Sequence, residues 1–159
     1  MKRVIQLTGA ALLFSLPFAS QAQTTGVGIG TNTPNSTLHV NGSLAVKVSN
    51  NLAGNAGGGG SGTPLGNTGY VGLNPQGGAD YYLLPAASSC PGRIYYLRNN
   101  SSTNIAYLGT GSGTNGGAIF EGGTNDAAVF PYFMQPTGLT KTVTVISDGV
   151  NWTLIKGGH

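Results

Sequence analysis

Charge is scarce in this chain of 159 residues, which carries seven basic and four acidic side chains. Two of the cations, Lys2 and Arg3, sit at the extreme N-terminus, and the other five (Lys47, Arg93, Arg98, Lys141 and Lys156) are scattered. Isolated cations make no phosphate-tracking patch and no polybasic membrane site, so neither nucleic acid nor an anionic bilayer is expected as a partner. Cys90 is the sole cysteine, which excludes an intrachain disulfide, and it reads as a small packed residue in the turn Ser88-Ser89-Cys90-Pro91-Gly92. Histidine is limited to His39 and His159, in no zinc-like spacing with Cys90 or the carboxylates. No metal and no cofactor is therefore expected. A weak exception is His39, three copies of which would meet if it lay on a trimer axis.

The shortage of acids bears on catalysis. Asp80, Glu121, Asp126 and Asp148 are the whole supply of carboxylates. Glu121 and Asp126, flanking Gly122-Gly123-Thr124-Asn125, form the best pair for a glycosidase, but ordinary turn chemistry accounts for them. Neither histidine belongs to a recognisable nucleophile and base arrangement. The sequence Gly26-Val27-Gly28-Ile29-Gly30-Thr31 lacks the third glycine of a dinucleotide loop. The chain thus reads as non-enzymatic. Long apolar runs are missing too: the stretch from about Ala10 to Ala19 is broken by Ser15 and Pro17 and falls short of the ~20 residues that span a bilayer.

What is present begins with a leader. A cationic start, that short apolar stretch and the small-residue end Ser20-Gln21-Ala22 make Met1 to Ala22 a cleaved secretory signal peptide, so the mature protein is expected to be secreted or displayed on the cell surface. Stable membrane insertion is not expected.

Three regions follow. Residues 23–51 read as an N-terminal β module for assembly or attachment, with Thr37 to Asn41 alternating, Leu44, Val46 and Val48 resuming the alternation, and Asn41-Gly42 suited to a hairpin turn between them. Its apolar residues Val27, Ile29, Leu38, Val40, Leu44 and Val46 are the candidate assembly positions. Residues 52–79 read as a glycine-rich linker or loop, with eleven glycines between Gly54 and Ala79 and one short strand possible at Tyr70, Val71 and Leu73. Residues 80–159 read as an all-β domain of short antiparallel strands in a sandwich or roll, punctuated by Gly, Asn, Ser and Pro. Its clearest hairpin runs from Val143 and Val145 through Asp148-Gly149 to Trp152 and Leu154, with Trp152 in the core.

Aromatic side chains carry the recognition chemistry. Tyr81, Tyr82, Tyr95, Tyr96, Tyr107 and Tyr132 are candidate ligand contacts, since flat rings with polar tips suit a surface glycan or a protein. Each consecutive pair, Tyr81-Tyr82 and Tyr95-Tyr96, must send one ring to each face of its strand.

Two segments resemble known proteins. Gly26 to Gly42, reading GVGIGTNTPNSTLHVNG, resembles a signature near the start of many secreted Bacteroidota proteins and of phage tail-fibre-like proteins. Leu83-Leu84-Pro85-Ala86-Ala87 to Arg93-Ile94-Tyr95-Tyr96-Leu97-Arg98-Asn99, together with Val145-Ile146-Ser147-Asp148-Gly149-Val150-Asn151-Trp152-Thr153-Leu154-Ile155, resembles a domain of phage fibre and head-fibre tips. The resemblance implies a β-structured attachment module, homotrimeric, at the end of a fibre. The export leader and the missing shaft of repeats favour a bacterial surface or released protein over a virion part. The rival reading is a subunit of an extracellular filament in which Gln23 to Val48 adds as a strand to a neighbour's sheet edge.

Overall fold

The structure, a computed structural model, describes residues 26–56, 61–111, 116–122, 126–128 and 130–157. Residues 1–25, which contain the expected leader, lie outside them, as do 57–60, 112–115, 123–125, 129 and 158–159, the last including His159. The chain divides into two compact units, Met1–Leu44 and Ala45–His159. No helix among the described residues is long and apolar enough to cross a membrane.

In the first unit, β1 (Val27–Ile29) and β2 (Leu38–Val40) pair in parallel, with Val27 opposite Leu38 and Ile29 opposite Val40. The expected hairpin at Asn41-Gly42 does not form. Asn41 instead extends the parallel ladder, its amide donating to the Ile29 carbonyl at 2.9 Å and its side chain donating to the Gly30 carbonyl at 3.2 Å. With Asn41 held by β1, the chain runs on through 43–47 without forming a strand, so Leu44 and Val46 are exposed loop residues and not members of an alternating one.

The second unit is an all-β sandwich. One sheet has six strands in the order β3 (Val48–Ala53), β5 (Tyr70–Asn74), β7 (Ile94–Asn99), β11 (Thr142–Ser147), β12 (Trp152–Lys156) and β9 (Ile119–Glu121). The other has four, in the order β10 (Tyr132–Met134), β8 (Ala106–Thr110), β6 (Asp80–Leu84) and β4 (Thr63–Pro64). From β3 to β8 the chain alternates between the sheets, and like strands stack in parallel, β3 on β5 on β7 and β4 on β6 on β8. This half is wound as three coils, in the manner of a short solenoid. The later strands close it: β10 lies antiparallel on β8, β11 antiparallel on β7, and β12 antiparallel on β11. The expectation of antiparallel strands therefore holds for β10 on β8, β11 on β7 and β12 on β11, while the winding half is parallel and β9 also pairs in parallel with β12. The terminal hairpin forms as read, with Val145 opposite Leu154.

In its described residues the glycine-rich segment is part of the sandwich rather than a linker, and the short strand expected at Tyr70 to Leu73 forms. It supplies the end of β3 and all of β4 and β5. Several of its glycines are packing positions: a Cβ on Gly54 would lie 2.5 Å from the Asp80 Cβ and 3.0 Å from the Tyr82 ring, and one on Gly62 would lie 2.9 Å from Tyr81 and Leu83. Close approach of one coil to the next accounts for these residues better than flexibility does.

Alternation fills the space between the sheets. Val71 and Leu73, Tyr95 and Leu97, Val143 and Val145, and Trp152 and Leu154 point in from the six-stranded sheet. Tyr82, Leu84, Leu108, Tyr132 and Met134 meet them from the other. Period-2 side-chain direction makes each of these runs one-sided.

Candidate functional site

The alternation that buries one residue turns its neighbour outward, and the register collects those neighbours into two outer faces. On the four-stranded sheet Tyr81 pairs with Tyr107 and Tyr107 with Phe133, so three aromatic residues stand side by side on β6, β8 and β10. The Tyr81 and Tyr107 rings stack with centroids 5.1 Å apart, and Phe133 meets Tyr107 edge to face at 5.2 Å. Gly109 leaves room for the exposed Phe130 ring beside this ladder; a Cβ there would sit 2.9 Å from it. Contacts of this geometry are worth about 0.5–1.5 kcal/mol each beyond area burial.

On the six-stranded sheet one outward row runs Val48, Tyr70, Tyr96, Thr144 and Ile155, each opposite the next. The adjacent row runs Ile94, Ile146, Thr153 and Phe120. Neither row holds a charge. Tyr96 is 48% exposed and Ile155 as much, with Val48 and Ile94 also open to solvent.

The tyrosines proposed from sequence thus divide. Tyr81, Tyr96 and Tyr107 belong to outer faces. Tyr82, Tyr95 and Tyr132 are buried core residues and not contacts on an outer face, because the register sends the other member of each pair, Tyr81, Tyr96 or Phe133, outward; of the three, Tyr95 also lines a cleft. Phe130 and Phe133 belong to the same aromatic cluster of the sequence but were not among the candidate contacts, and both are exposed, the Tyr132-Phe133 pair following the same one-in, one-out rule. Of the assembly candidates, Val27, Ile29, Leu38, Leu44 and Val46 are exposed and Val40 is half-buried.

Burial marks the three core tyrosines electrostatically. Desolvation raises Tyr82, with the Asp80 carboxylate adding to it; it raises Tyr95; and it pushes Tyr132 up to about 12, helped by Glu121. A phenol whose folded pKa is raised contributes stability that is complete below the unfolded value of about 10 and is lost as pH rises above it. Ultraviolet titration is expected to show these phenolates appearing only with loss of the β-sheet circular dichroism signal. Ionisation of every tyrosine in a still-folded protein would contradict the assignment.

The other candidates sit in ordinary structural roles. Glu121 pairs with Lys156 at 2.6 Å. Asp148 accepts the amides of Val150 and Asn151 at 2.7 and 2.6 Å, and these bonds hold its carboxyl below the usual range while closing the β11–β12 turn. The His39 Nδ1 accepts the Asn35 amide at 3.4 Å. Cys90 is half-buried against the core, its thiol donating to the Ala86 carbonyl at 3.5 Å. Among the described residues no three of His, Cys, Asp and Glu converge in a way that would hold a metal ion. Compared with known proteins, the chain matches no family model, no curated protein and no solved structure.

Proposed function

We propose that the protein is a secreted, non-enzymatic attachment protein that acts as a homo-oligomer, a trimer in the simplest arrangement, with the outer face of the six-stranded sheet meeting further copies. The observation that carries this reading is the uncharged double row across that sheet. A solvated outer face normally carries charged and polar residues, whereas these rows hold only aliphatic and aromatic residues and two threonines, a composition that suits an interaction surface. The aromatic ladder on the opposite sheet is then left for the target, a surface glycan or a protein. The Tyr81–Tyr107 stack takes one face of each ring, and the rest of the ladder remains for the target.

Light scattering on the protein at micromolar concentration is expected to give about three times the chain mass, and the double variant Tyr96→Lys, Ile146→Lys to give a monomer with unchanged circular dichroism. A wild-type monomer under those conditions overturns the oligomer. A glycan and whole-cell binding screen, with Tyr107→Ala as the ladder control, addresses the target.

The filament alternative draws on the end of the coil stack, where β3 and β4 are the edge strands of their sheets and each has one edge that no strand among the described residues covers. Both edges are blunted. A bulge between Ser49 and Leu52, with Asn51 at φ 70°, disrupts β3, and Pro64 lacks the amide that β4 would donate. Filaments in electron micrographs that vanish when residues 23–44 are removed would nonetheless favour strand addition over face packing.

A further inference from the structure

At one end of the sandwich, the loop after β4, the end of β6 and the turn leading into β7 enclose a cleft of about 450 Å³. That volume falls within the range of small-molecule sites. Leu65, Leu83, Leu84 and Pro85 supply apolar wall, and Tyr95, Cys90 and Arg93 also line it. No residue of either outer row lines the cleft, although Arg93 and Tyr95 flank Ile94 of the second row.

Donor accounting decides what the cleft can hold. The Tyr95 hydroxyl donates to the Gly66 carbonyl at 2.7 Å, the Ser89 hydroxyl to the Ala86 carbonyl at 2.7 Å, and the Cys90 thiol to that same carbonyl. Each of these groups has committed its one proton within the protein. Arg93 has not. Its Nη1 donates to the Asn67 side-chain oxygen, the guanidinium also gives a hydrogen bond to Tyr95 and stands with its carbon 5.8 Å from that ring's centroid, and of its five N–H groups the fork still has some to give. No carboxylate lines the cleft, and Arg93 makes no ion pair among the described residues. The Asn67 bond and the contact with Tyr95 orient the fork beside an apolar wall.

From this combination we infer that the cleft binds a small carboxylic acid with an apolar body, its carboxylate held by Arg93 and its hydrocarbon part by the Leu and Pro wall. One cation matches one carboxylate. A phosphate dianion would find only half its charge balanced. A neutral sugar would find few free donors and, in the Tyr95 ring already set against Trp152 and Arg93, no open stacking surface.

Cys90, as the only thiol, reports occupancy. Calorimetric titration of the full chain with octanoate and with 3-phenylpropionate is expected to give one site per chain, and saturating acid is expected to slow Cys90 alkylation by iodoacetamide, read by mass spectrometry. Octanamide, which keeps the body and loses the charge, is expected to bind at least about tenfold more weakly, as is octanoate to Arg93→Gln. The octanamide comparison uses the unaltered protein, so it decides the matter even if the variant misfolds. No binding heat with unchanged alkylation at millimolar acid, or equal affinity for acid and amide, overturns the site.

Discussion

Trp152→Ala is expected to lower the unfolding free energy by about 3–5 kcal/mol, the usual cost of emptying a large aromatic site in a core. Trp152 is fully buried, and three separate elements converge on it. Its indole N–H donates to the Pro85 carbonyl at 3.2 Å, tying the six-stranded sheet to the chain just after β6. Its ring lies tilted against Tyr95 with centroids 5.8 Å apart, and its backbone amide donates to the Ala118 carbonyl at 2.8 Å, beside the start of β9. Alanine keeps only the backbone bond. With a total stability of about 5–15 kcal/mol for a domain, the loss is a large fraction, and the thermal midpoint is expected to fall by about 10–20 °C. Trp152→Phe separates the parts: most of the volume stays while the Pro85 carbonyl loses its donor, for an expected cost of about 1–3 kcal/mol. Circular dichroism melts of the three proteins measure both. A loss below about 1 kcal/mol for alanine would mean that Trp152 is not at the centre of the packing.

That site was readable in the sequence, and the reason is local. Trp152 and Leu154 alternate with polar neighbours a few residues after Val143 and Val145, and the Asp148-Gly149 turn fixes the pairing between strands that are close along the chain. The coils carry no such local signal. Tyr70 pairs with Val48 and with Tyr96, 22 residues back and 26 forward, and unequal spacing leaves no repeat to detect. Glycine misled for a related reason. At Gly54 and Gly62 it marks the close approach of one coil to the next, which composition alone cannot tell from an entropic linker. The aromatic faces were half legible. Adjacent tyrosines had to split between inside and outside, but which of each pair faced out depended on a register set by distant strands. Arg93 lies in the segment that resembles fibre tips, but nothing in that segment marked it as a site residue. Its role at the cleft follows from Asn67 and Tyr95 being brought to it by the fold.

Asn99→Leu is expected to cost about 3 kcal/mol or more although it makes the core more apolar and nearly conserves volume. Asn99 ends β7 and is fully buried. Its side-chain amide donates to the carbonyls of Asn104 and Met134 at 2.8 and 2.9 Å, and its side-chain oxygen accepts the Ser101 amide at 3.0 Å. Met134 is in β10, so this one residue fastens the two sheets across the sandwich and also folds the loop that leads into β8. Leucine would strand two carbonyls and one amide, and the penalty of leaving buried groups unpaired exceeds any gain from burying a larger hydrocarbon. Asn99→Asp is the sharper test. It keeps the acceptor for Ser101 but turns an anionic oxygen toward two carbonyl oxygens, so it is expected to destabilise at pH 7 at least as much as leucine. Burial beside those carbonyls raises the pKa of the new carboxyl in the folded state above its unfolded value of about 4. A raised folded pKa adds stability on protonation, so the aspartate variant is expected to recover part of its loss as pH falls from 7 toward 4, when the carboxyl can donate one bond. Urea unfolding followed by the fluorescence of the single tryptophan, Trp152, reads each variant across that range. A leucine variant as stable as the parent would show that packing alone holds the sheets together; an aspartate variant with no recovery in acid would show that the bonds to Asn104 and Met134 are not what the side chain supplies.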